Sequence, residues 1–209
     1  MNDKQKGLAA LTIVIVTALG AASYVSLTQP IDSIPPSDPL LTLYEACLDD
    51  DHRWRGVSGP TVWDAQTFTV SETHTLDKLV LSATVFMWPT ADIIVSIRET
   101  DGNFPIGNDL TIATVSCTIL TWGETWIEFD FPNILLEEGI YAFVIRVPEA
   151  TQEAFPLFGV TMSGDIDEEY TYVGDYAGGT ALVSEDAGNT WFTRVGIDYL
   201  FKEYGYPIN

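Results

Sequence analysis

From Ala65 onward, short runs of residues alternate apolar with polar one by one, broken by turn residues, and this period of two constrains the fold more than any other feature. In "TWIEFDF", Ile127, Phe129 and Phe131 face one way while Glu128 and Asp130 face the other, as in a strand with one buried face. Comparable runs stand at "AQTFTV", "LDKLVLSATVFM", "DIIVSIRET", "LTIATVSCTI", "IYAFVIRV", "FPLFGVTM", "GTALVSE", "TWFTR" and "IDYLFKEY". Asp101-Gly102 and Pro105 in "TDGNFPIGND", and Gly139 in "EEGI", supply turn chemistry between them. No helical period of useful length interrupts the pattern. Short antiparallel strands in this number predict an all-β, two-sheet sandwich over residues 63–209 with jelly-roll or related Greek-key connections.

Two segments precede that domain. Lys4 and Lys6 are followed by an uncharged run from Leu8 to Leu27, and as a helix its 20 residues would cross roughly 30 Å, one membrane thickness. The positive charges lie on the N-terminal side, so residues 1–28 read as a transmembrane helix with its N-terminus in the cytoplasm and the rest of the chain outside. Three fates of the span stay open. It is a retained signal-anchor, a signal cleaved after small residues near Ala18 to Ala22, or a prepilin-type leader. The last resembles class III signals cut after Lys6-Gly7, with Thr12 where many bacterial pilins carry Glu. Residues 29–62 hold Pro30, Pro35, Pro36 and Pro39 and read as an extended stalk, in which Leu40 to Leu48 has the pattern of a short amphipathic helix.

Charge narrows the partners. Thirty acidic against nine basic residues give a net charge of −21, which repels nucleic acid and anionic headgroups. The membrane therefore enters only through the N-terminal helix.

Several local features carry candidate chemistry. "SEDAGNTW" reads S-x-D-x-G-x-T-W, a pattern that resembles the Asp-box of sialidases and other β-propellers. A propeller needs several such blades, of some 40 to 50 residues each, and this chain has one box and no room for four blades. Arg53, Arg55, Arg98, Arg146 and Arg194 are scattered, without a motif that would gather a substrate-binding arginine cluster. The box then reads as a structural turn, with Ser184 and Asp186 bonding backbone amides, Gly188 at positive φ and Trp191 packing over the hairpin.

"GDIDEEY" places Asp165, Asp167, Glu168 and Glu169 close together, oxygen ligands of the kind a structural calcium takes, although the full EF-hand spacing is missing. His52 and His74 lack ligand-spaced neighbours, and G-x-S-x-G, P-loop and H-E-x-x-H motifs are absent from the sequence. The chain is therefore read as a non-enzyme. Cys47 and Cys117, the two cysteines, either form a disulfide stapling stalk to sandwich or sit apart, with Cys117 as a small core residue. Trp63, Trp126 and Trp191 fall at packing positions, whereas Trp88 in "MWPT" and Trp122 in "LTWGE" stand at loop tips, where exposed indoles stack on sugar rings. Tyr170, Tyr172 and Tyr176 join them as candidate ligand-binding residues near the acidic loop.

Residues 65 to 205 together resemble a jelly-roll β-sandwich module that recurs, often beside varied anchors, in secreted and surface proteins of bacteria, archaea and phages. The resemblance rests on the ordered set "AQTFTV", "VSIRETDGNFPIG", "TWIEFDFPNILLEEGIYAFVIR", "YAGGTALVSEDAGNTW" and "DYLFKEYG". It implies a binding or structural unit, in which a structural calcium is common, and brings no catalytic residues. The expectation is a membrane-tethered extracellular module that binds carbohydrate or another surface component in adhesion or display. The alternative is a pilin-like or envelope subunit that associates with copies of itself after cleavage at Gly7. The Pro-rich stalk favours the displayed module.

Overall fold

A computed structural model describes residues 40–48, 53–57, 59–161 and 176–208. The apolar span at 8–27, the prolines up to residue 39, His52, the candidate calcium ligands Asp165, Asp167, Glu168 and Glu169, and Tyr170 and Tyr172 lie outside the described residues. Among the described residues no helix is long and apolar enough to cross a membrane.

Fourteen strands occur among the described residues. In chain order the first seven are β1 (Thr42–Cys47), β2 (Arg53–Gly56), β3 (Gly59–Val70), β4 (His74–Phe86), β5 (Asp92–Asp101), β6 (Phe104–Pro105) and β7 (Thr111–Ser116). They are followed by β8 (Thr125–Leu136), β9 (Gly139–Val147), β10 (Phe155–Thr161), β11 (Ala181–Ser184), β12 (Phe192–Thr193), β13 (Asp198–Tyr199) and β14 (Phe201–Pro207). A single 3-10 turn, Cys117–Ile119, is the only helical element described. The described residues are all-β, and their strands pair antiparallel in two sheets consistent with a sandwich.

In the first sheet β4 lies between β8 on one side and β14 on the other, with β1 outside β14. Toward the end of β4, β10 takes over from β14 and carries β2 and β13. The second sheet runs β12-β11-β3-β9-β5, with β6 and β7 both on β5. The inner faces meet in one core, and the alternation read in the sequence supplies it: Ile127, Phe129 and Phe131 of β8 are buried while Glu128 and Asp130 are exposed. Ile93, Val95 and Ile97 of β5 and Phe143, Ile145 and Val147 of β9 face them from the other sheet. Phe68, Phe143 and Phe201 form the aromatic centre, with ring centroids 5.2 to 6.4 Å apart. Truncating one of these rings to Ala costs about 3–5 kcal/mol by loss of transfer energy and the cavity left behind.

The sandwich begins earlier than the stalk expectation placed it. Leu40 to Leu48 does not form a helix: Thr42–Cys47 is an edge strand on β14, and β2 and β3 take up most of the segment up to residue 62. Tertiary pairing overrides a weak helical period here, because Tyr44 gains a ring partner and Cys47 a place in the core. The proposed staple is also absent. Cys47 and Cys117 are both buried in the hydrophobic core as thiols, without a disulfide between them. Burial pushes the Cys117 thiol up to about 12, which keeps it protonated and unreactive.

Candidate functional site

Two loops converge at the end of the sandwich where β4 stops. The loop after Phe86 runs Met87-Trp88-Pro89-Thr90-Ala91, and the loop before β8 carries Trp122 and Gly123. Sequence placed Trp88 and Trp122 at separate tips; the fold brings them together, ring centroids 5.9 Å apart and planes at 80°. They are 59% and 61% exposed, so neither indole serves the core. The rings are perpendicular, not coplanar as a row of flat sugar platforms would require.

The surroundings hold that corner in place. The Thr84 hydroxyl donates to the Thr121 carbonyl oxygen at 3.0 Å, and the Ser82 hydroxyl donates to Glu124 Oε1 at 2.9 Å, tying the Trp122 loop to β4. The Cys117 amide donates to the Ala91 carbonyl oxygen at 2.9 Å, joining the Trp88 loop to the turn that precedes Trp122. Phe86 stacks on Phe155 with centroids 5.1 Å apart, and Met87 and Ile119, in the chain segments that lead to the two indoles, are exposed. Met87 and Trp88 both have left-handed backbones, φ 58° and 40°, without a glycine to relieve them. Each costs about 1–2 kcal/mol, and strain of this kind is retained where the position of a side chain matters.

Tyr176 does not join this surface. Its ring packs edge-on against Phe201 at 5.2 Å and its hydroxyl donates to Glu45 Oε2 at 2.8 Å, so it is a partly buried bolt between β1 and the core. Burial first, and the Glu45 carboxylate second, push its phenol far above the ordinary tyrosine value. A tyrosine next to an acidic run looks like a surface residue in the sequence, and no local signal gave its partner.

The hairpin at Ser184 to Trp191 is a dense turn. The Ser184 hydroxyl accepts from the amides of Asp186 and Gly188 and donates to Asp186 Oδ1. Asp186 accepts from the Thr190 amide and hydroxyl at 2.8 and 2.7 Å, bonds that hold its carboxyl below the ordinary range. Gly188 stands at φ 82° against the Trp63 ring, where a Cβ would come within 2.5 Å of a ring carbon. Trp191 and Trp63 together cover a small second cluster of Ala65, Val144 and Leu182. This is packing, not an arrangement of groups facing a substrate.

The arginines, scattered in sequence, are paired in space. Asp109 accepts from Arg98 at 2.7 Å and from Arg146 at 3.0 Å, and both guanidinium groups lie over the Trp63 ring. Burial opposes ionisation of Asp109, yet the bond from Arg98 and the charges of Arg146 and Arg98 hold its carboxyl below the usual range. Asp64, fully buried, is flanked by Arg194 at 3.2 Å and Arg55 at 3.5 Å. Beside it Gln66 donates to Asp198 and accepts from the Tyr199 amide, closing the polar end of the interior. Four arginines are thus engaged by two aspartates.

One buried pair escaped sequence reasoning altogether. His74, the first residue of β4, places Nε2 2.8 Å from Glu203 Oε1 and Nδ1 2.8 Å from the Glu72 carbonyl oxygen, while Tyr44 stacks on its ring at 3.7 Å. A carbonyl oxygen only accepts, so Nδ1 carries a proton. A second proton then lies between Nε2 and Oε1. Burial by itself would lower the His74 pKa, but the bonds to Glu203 and to the Glu72 carbonyl reverse the direction. Burial also pushes the Glu203 carboxyl up, against the opposing pull of His74. Both shifts favour keeping the shared proton. The pair is enclosed, with neither side chain open to a substrate.

No group of three or more His, Cys, Asp or Glu side chains that could hold a metal ion occurs among the described residues. No family model matches the chain, and no curated protein matches it in sequence.

Proposed function

We propose that this β-sandwich is a non-enzymatic module, displayed outside the cell from a membrane tether, that binds carbohydrate or another cell-surface component through its aromatic end. The reading extends the sandwich to a jelly-roll-like module of the kind found beside varied anchors in surface proteins. One observation carries it: Trp88 and Trp122, from loops far apart in sequence, form an exposed and braced aromatic corner. A solvent-facing indole pair has little reason to persist for stability, and aromatic rings with tied-down loops are what a low-entropy binding surface needs. The uncharged run at 8–27 with Lys4 and Lys6 before it supports the tether, with the N-terminus cytoplasmic.

The test pairs two measurements on the full chain recovered from membranes. Glycan-array binding, with and without calcium, should give a signal that Trp88→Ala with Trp122→Ala abolishes while the melting temperature holds. N-terminal sequencing should find Met1 or Asn2. A mature chain starting at Leu8 would replace the tether with the pilin-like reading, and an array signal indifferent to both substitutions would remove the aromatic corner from the proposal.

A further inference from the structure

The angle between the two indoles limits what they can hold. Resting on the binding reading above, we infer that the Trp88–Trp122 corner takes a neutral glycan as a free chain or chain end, one sugar ring stacked on a single indole with the other at its side, and not the flat face of a packed polysaccharide.

The geometry comes first. Stacking needs an indole face laid against the C–H face of a sugar, so two indoles that share a flat polymer surface must lie in nearly one plane. At 80° no plane lies on both rings. At 5.9 Å the two indoles already touch edge to face, so a single ring stacks on the open face of one indole, each being more than half exposed, and the other indole stands at its side. Only a glycan free of lattice neighbours can turn a ring into such a corner.

The corner is also not free to flatten. Its two loops are fastened to β4 and to each other by the bonds from Thr84, Ser82 and the Cys117 amide. Trp88 is carried on a left-handed backbone that an unconstrained loop would leave. Polar groups of the right kind stand close by. The Thr121 and Thr125 hydroxyls, 3.2 Å apart and exposed, flank Trp122 in the sequence and can exchange hydrogen bonds with sugar hydroxyls.

Charge decides neutrality. The chain carries −21 overall, and Glu124 sits two residues beyond Trp122 with its carboxylate tied at the base of the loop. Uronic acid or sulfated chains would approach against that field.

The experiment uses the full chain in amphipol with three probes: an array of soluble neutral oligosaccharides, the same array with uronic acid and sulfated members, and pull-down on microcrystalline cellulose and crystalline chitin. The expected result is binding to neutral soluble members, weakened on the order of tenfold by Trp88→Ala and by Trp122→Ala, about 1.4 kcal/mol each, with no retention on either crystalline polymer. Retention on a crystalline polymer that the substitutions abolish would leave the binding reading standing and overturn the free-chain inference. Preference for acidic members would overturn neutrality. Silence on every probe would overturn the binding reading and this inference with it.

Discussion

Nε2 of His74 lies 2.8 Å from Oε1 of Glu203, and neither side chain reaches solvent. Because the folded pair keeps a proton that an unfolded histidine releases near pH 6.5, the stability it contributes is complete below that pH and is lost as pH rises through the higher folded value. Denaturant midpoints measured from pH 6 to 9 should therefore fall. Glu203→Gln should flatten the slope, since an amide donates to Nε2 without a titrating proton; an unchanged slope would show that the pair does not hold the shared proton.

Asp64→Ala should be among the most damaging polar substitutions in the molecule. It leaves Arg55 and Arg194 facing a buried site without their counter-charge, a loss of about 3–5 kcal/mol. Asp109→Ala should cost less, about 2 kcal/mol, because Asp109 is partly exposed where Asp64 is fully buried, and Arg98 and Arg146 keep the Trp63 ring. Urea unfolding of the two variants side by side checks the order.

The turn at Ser184 to Trp191 offers two neighbouring substitutions of opposite sign. Ala187 has φ 59°, so Ala187→Gly relieves a strained backbone and should stabilise by about 0.5–1 kcal/mol. Gly188→Ala adds a Cβ against Trp63 at φ 82° and should destabilise by more than that. Thermal melts of the pair would reveal a misplaced turn if both moved the same way.

Cys47 and Cys117 should be invisible to a thiol reagent in the native protein and give two equivalents once unfolded. Non-reducing and reducing intact masses should agree. A native mass two hydrogens lighter would restore the disulfide reading.

Much of the sandwich was legible because burial on one face writes itself into alternate residues; "TWIEFDF" gave the buried Ile127, Phe129 and Phe131 directly. The edge strand Thr42–Cys47 was not, since its partner β14 lies at the opposite end of the domain sequence and its own pattern is too short to oppose a helical reading. The loop positions of Trp88 and Trp122 were readable from Pro89 and Gly123 beside them, but their meeting at a right angle depends on β4 and β8 being neighbours. The interior bonds of His74, Glu203 and Tyr176 left no trace in the sequence. Their partners come from other strands, and a charged residue in a strand looks the same whether its face is wet or covered.

Strand β1 pairs with β14 so that Thr42 lies beside Gly205, at the His74 end of β4, while the indole corner lies beyond Phe86 at the other end. At about 3.3 Å per residue, the length of β4 puts roughly 40 Å between the two poles. A load applied between residue 40 and the corner would run lengthwise along β1, across hydrogen bonds that stand perpendicular to it. All the bonds of that ladder would then be loaded at once, as in a lap joint, instead of opening singly like a zip.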